Sequence, residues 1–141
     1  MKFIVIVWLS FIACMQMAQA ADDYLFKGFI TPSGNIACYL EPDSQSLICE
    51  IEQTVWNPER KLIDCPDLDV GKQLVMTERG KPQGGWWCRG DTWLHPGIKN
   101  LTYGETWRAD GFTCIVSKEN LRCRNLDGHG WTMARKAVEI F

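Results

Sequence analysis

Two stretches of the chain alternate apolar and polar side chains around a cysteine. In residues 35–40, Asn-Ile-Ala-Cys-Tyr-Leu, every second place is taken by Ile36, Cys38 and Leu40. After the loop Glu-Pro-Asp-Ser-Gln-Ser, Leu47, Cys49 and Ile51 repeat the pattern. Successive side chains of a strand point to opposite faces, so this pattern predicts a hairpin with one buried side. Setting Leu40 opposite Leu47 brings Cys38 opposite Cys49 and Ile36 opposite Ile51, within reach of a bridge. The other face would carry Ala37, Tyr39, Ile48, Glu50 and Glu52.

The design recurs further on. Phe112, Cys114 and Val116 take every second place in residues 112–116; the turn Ser-Lys-Glu-Asn follows, then Leu121 and Cys123. Both units read apolar-x-Cys-x-apolar, turn, Leu-x-Cys, which suggests a duplicated hairpin. Residues 72–77 form another strand candidate, with a turn at 78–80. A helical turn is expected near 56–61, and residues 133–141 fit either helix or strand. The fold class expected is mainly β: a small disulfide-stabilised β-barrel or compact sandwich with two cysteine-pinned hairpins, which avoids long open edges.

The beginning of the chain has a different character. Lys2 precedes eleven apolar residues or near-apolar residues, 3–13, and the segment ends Ala18-Gln19-Ala20. A basic start, a short apolar run and an A-x-A ending describe a signal peptide over residues 1–20. Eleven residues at a rise of about 1.5 Å fall short of a bilayer core of roughly 30 Å. The mature chain, 21–141, is expected to be one disulfide-bonded β domain, secreted or periplasmic, with no transmembrane segment. Lipid anchoring at Cys14 is a minor alternative, because Phe-Ile-Ala-Cys only loosely resembles a lipobox.

Cleavage changes two counts. Of 15 basic and 17 acidic residues only Lys2 is lost, leaving a net charge near −3, which argues against nucleic acid as partner. Seven cysteines become six: Cys38, Cys49, Cys65, Cys88, Cys114 and Cys123. An even number in a small exported domain reads as a disulfide framework, with 15 pairings open. The two hairpins select Cys38–Cys49 and Cys114–Cys123, which leaves Cys65 with Cys88. Zinc is the competing reading, but no C-x-x-C pair is present, so neither metal nor cofactor is expected.

The residues Thr31-Pro32-Ser33-Gly34-Asn35-Ile36 with Cys38, the segment Cys88-Arg89-Gly90-Asp91, and Asn125-Leu126-Asp127-Gly128-His129-Gly130 carry a resemblance. The chain from Phe29 to Phe141 resembles an uncharacterised family of small secreted bacterial disulfide-bonded proteins, a domain of unknown function. That resemblance implies export and scaffold, and no activity. The chain departs from it at Trp131 and in the aromatic Gly-Gly-Trp-Trp-Cys segment.

Few residues suggest chemistry. His129, between two glycines and near Asp127, reads either as a turn residue or as a general base oriented by Asp127. His95 precedes a proline and reads as a loop residue. Ser33 lacks a histidine partner at recognisable spacing, and Arg89-Gly90-Asp91 fits a turn. Six tryptophans remain after cleavage, and most are expected in the core. Adjacent Trp86 and Trp87 cannot share a face of one strand. Trp86 goes with Cys88 and the interior; Trp87 goes with Arg89 and is the candidate binding pair.

Two functions follow as expectations. The first is an exported non-catalytic binding module recognising a protein or a cell-envelope glycan. The second is a small extracytoplasmic hydrolase using His129 with Asp127. The absence of a recognisable catalytic set favours the binding module.

Overall fold

A computed structural model describes residues 27–41, 43–56, 69–89 and 98–141, with the main chain alone at 69, 70 and 85–89. The signal peptide over 1–20, Cys14, Cys65, residues 57–61 of the helical turn expected near 56–61, and His95 lie outside the described residues, as does the side chain of Cys88 and with it the third bridge.

Among the described residues, eleven strands form two sheets. The first contains β1 (Gly28–Ile30), β2 (Ile36–Glu41), β3 (Ser46–Ile51), β4 (Asp69–Thr77), β5 (Gln83–Arg89) and β6 (Lys99–Asn100), in the order β5-β4-β3-β2-β1-β6. The second contains β7 (Thr106–Ala109), β8 (Phe112–Val116), β9 (Leu121–Arg124), β10 (Gly130–Met133) and β11 (Val138–Ile140), in the order β11-β10-β9-β8-β7. All described pairings are antiparallel except β1 with β6. The described strands form two separate sheets in a sandwich-like arrangement rather than a closed barrel, and no helix occurs among the described residues.

The register is that of the apolar alternation. Ile36 pairs with Ile51, Cys38 with Cys49, Leu40 with Leu47, and Cys114 with Cys123. Disulfides join Cys38 to Cys49 and Cys114 to Cys123. Each bridge sits in an apolar row across its sheet. Phe29, Cys38, Cys49 and Leu74 form one row, and Trp107, Cys114, Cys123 and Trp131 the other. The rows face each other in one core, where the rings of Phe29 and Trp107 pack at 5.0 Å, tilted by 52°. The two bridges also meet: the sulfurs of Cys38, Cys49 and Cys123 lie within 4.8 Å of one another.

Three expectations are refined. Residues 133–141, ambiguous in sequence, form the β10–β11 hairpin. Strand β4 runs longer than 72–77 and ends at the foreseen turn, where Gly80 has a φ of 83°. Ile48, assigned to the open face of β3, is buried. Its strand has a neighbour on either side, so Tyr39 and Val75 flank it on that face. Burial, then the charges of Glu50 and Glu41, push the Tyr39 hydroxyl above the usual phenol range.

Candidate functional site

The glycine-flanked histidine lies in the loop between β9 and β10. Gly128 has a φ of 79°, a conformation that strains any residue with a Cβ. At Gly130, an added Cβ would run into the carbonyl of Cys123. Both glycines of Gly-His-Gly are therefore required by the backbone. Asn125 organises the loop from a buried position. Its Oδ1 accepts hydrogen bonds from the amides of Asp127 and His129, both at 3.1 Å. Its Nδ2 donates to the carbonyls of Thr77 at 3.1 Å and Gly80 at 2.8 Å, in the turn after β4.

The same turn takes up Asp127. One carboxylate oxygen accepts from Arg79 Nη1 at 2.7 Å, the other from the amide of Gly80 at 2.8 Å. The Gly80 amide and the Arg79 charge hold the Asp127 carboxyl below the usual range, and His129 adds the smallest share. The His129 ring lies 3.3 Å, through Nδ1, from the main-chain oxygen of Phe141. Asp127 and His129 thus share a loop but direct their hydrogen bonds to different partners.

The opposite end of the sandwich holds a groove of about 290 Å³. Ile36, Val116, Leu121 and Met133 come to it from the core; loops of both sheets form its walls. From the first sheet come Thr31, Ser33 and Asn35, in the turn before β2, and Gln53 after β3. From the second come residues 117–120, between β8 and β9, and Ala134 and Arg135, between β10 and β11. Tyr103, 48% exposed, stands beside them.

The walls are fixed by their own hydrogen bonds. Thr31 Oγ1 accepts from the Ile36 amide at 3.2 Å, and Asn35 exchanges bonds with the main chain of Gln53 at 2.8 and 3.0 Å. Ser117 Oγ accepts from the amides of Glu119 and Asn120 at 3.1 and 3.0 Å. Trp56 Nε1 donates to the Ala134 carbonyl at 2.8 Å, and Lys72 lies 5.2 Å from the centre of the Trp56 ring. Lys118, Glu119 and Arg135 are exposed and have no ion-pair partner among the described residues. Ser33 lines the groove, but its hydroxyl serves the turn through Thr31 and the Asn35 amide, and no histidine is among the lining residues.

Trp87 and Arg89, the binding pair expected from sequence, fall in β5, where Trp87 pairs with Gly71 and Arg89 with Asp69. Their side chains lie outside the described residues. The buried sulfur cluster is the contact between two bridges, so each of its sulfurs is already bonded. Among the described residues no helix is long and apolar enough to cross a membrane.

Sequence reasoning missed Tyr103, Lys118 and Arg135, because they reach the groove from three loops far apart in the chain. It had the Thr-Pro-Ser-Gly-Asn turn as a motif without knowing what faced it. No curated protein and no solved structure matches the chain. A family model matches residues 7–141, nearly the full length, and the chain belongs to that family, a family of unknown function designated DUF6636.

Proposed function

We propose that this chain is a non-catalytic binding module and that the groove at the end of the sandwich takes a short stretch of glycan. The observation that carries this reading is the groove's composition: an exposed Tyr103 ring beside hydroxyl and amide side chains on turns already held in place. Sugars offer apolar ring faces and many hydroxyls, and they bind where an aromatic surface adjoins fixed polar groups. A volume of about 290 Å³ accommodates about one or two sugar rings, at the small end of ligand pockets. Turns braced by hydrogen bonds lose little entropy when a ligand docks.

The hydrolase reading would have Asp127 orient His129. Both oxygens of Asp127 are engaged by Arg79 and Gly80, which supports binding over catalysis. Trp87 and Arg89 are proposed as an additional ligand contact, carried from the strand pattern of the sequence. Export to the cell envelope, with residues 1–20 removed, is part of the same proposal; two disulfides fit an oxidising compartment. Titration of the oxidised protein with uncharged hexose and N-acetylhexosamine oligosaccharides, comparing the parent with Tyr103→Ala, tests the assignment.

A further inference from the structure

The solvent face of the second sheet carries an unusual charge pattern for a chain whose formal net charge is −2. Register places Arg124 of β9, Thr113 of β8 and Arg108 of β7 in one row, and Arg122, Ile115 and Thr106 in the next. Arg108, Arg122 and Arg124 are all exposed. Neighbouring strands lie about 4.8 Å apart and alternate residues of a strand about 7 Å apart, so the three side chains root about 7–12 Å from one another. That is about one screening length at ~0.1 M salt, so their charges repel.

No salt bridge among the described residues engages any of the three. Arg108 and Arg124 have no ion-pair partner there. Arg122 donates to Thr132 Oγ1 at 3.0 Å and lies 4.0 Å from the centre of the Phe141 ring, which holds its plane in position without a carboxylate partner. Among the described residues Glu139 is the carboxylate of this face, and it sits on β11 beside Thr132, two strands from Arg122 and at the far edge from Arg108. The neighbouring acids are already used: Asp110 pairs with Lys27 at 3.1 Å, and Glu105 with Lys99.

We propose that this face binds an anionic polysaccharide through Arg108, Arg122 and Arg124. Guanidinium groups grip carboxylate and sulfate or phosphate oxygens in paired hydrogen bonds. Thr113 lies between Arg124 and Arg108, and Thr106 and Thr132 share the face, so hydroxyls suited to a hydrated polymer adjoin the arginines. A membrane surface would call for apolar side chains to insert, and on this face the large ones are Ile115, 45% exposed, and the half-buried Phe141 ring stacked on Arg122. The inference is independent of the groove, which lies at the end of the sandwich.

The test is retention of the full oxidised chain on immobilised polygalacturonate. The parent binds at about 0.05 M salt and elutes well before about 0.5 M. Arg108→Gln and Arg124→Gln each weaken binding about threefold and together about tenfold, with unchanged melting. Tyr103→Ala binds as the parent does. No retention, or retention insensitive to the arginine substitutions, overturns the proposal. So does tighter binding to vesicles containing equal phosphatidylglycerol and phosphatidylcholine, which makes the partner a lipid surface. Arginine-dependent self-association in sedimentation also overturns it, by making the face a contact between copies.

Discussion

Asp127 and Arg79 meet at 2.7 Å, and their contact ties the loop after β9 in one sheet to the turn after β4 in the other. The Asp127 carboxyl is held below its ordinary range, so its folded pKa lies under the unfolded value of about 3.9. Its contribution to stability is complete above the unfolded value and is lost as pH falls through the folded one. Glu105, lowered by Lys99 and the Thr102 amide, acts in the same direction. Denaturant melts of the parent and Asp127→Asn should therefore differ by a constant amount above about pH 5 and converge as pH falls through the lowered folded pKa of Asp127.

Asn125 makes four hydrogen bonds from a buried position and joins the same two loops. Asn125→Ala should cost about 2–3 kcal/mol, because it strands main-chain groups that the side chain satisfied. Asn125→Asp keeps both acceptor contacts, loses the donors to Thr77 and Gly80, and should also destabilise. Urea titrations measure both.

The Cys38–Cys49 and Cys114–Cys123 bridges span 11 and 9 residues. Replacing either pair by alanine should cost about 3 kcal/mol. Because the bridges touch across the core, removing both should deviate from the sum of the separate losses. Equilibrium unfolding of the two paired variants and their combination gives the comparison.

His129 contributes one side-chain contact, to the Phe141 main chain. His129→Gln should change stability by no more than about 1 kcal/mol and leave binding intact. A hydrolytic activity lost by orders of magnitude in a folded His129→Gln protein would reinstate the hydrolase reading.

The hairpins were legible because a period of two, interrupted by cysteine, has few solutions once one face must be buried. Ile36, Cys38, Leu40, Leu47, Cys49 and Ile51 stand where that reasoning puts them. Strand β7 was not foreseen, although Asp110-Gly111 signals a tight hairpin; their φ values of 44° and 86° are those of a turn that matches strand twist. The groove was hidden for a different reason. Its walls come from loops of both sheets, and loop composition reports solubility and turn chemistry rather than what faces what. The arginine face needed the second sheet's register, which sets Arg108 in line with Arg124 across β8.

The measurement closest to the central claim is a backbone-amide NMR titration of the oxidised protein with uncharged hexose and N-acetylhexosamine oligosaccharides. The account predicts shifts concentrated at residues 31–36, 103 and 117–120, and affinity at least about tenfold weaker in a folded Tyr103→Ala protein. Oligosaccharides that shift none of these residues, or a Tyr103→Ala protein that binds them at full strength, would contradict it.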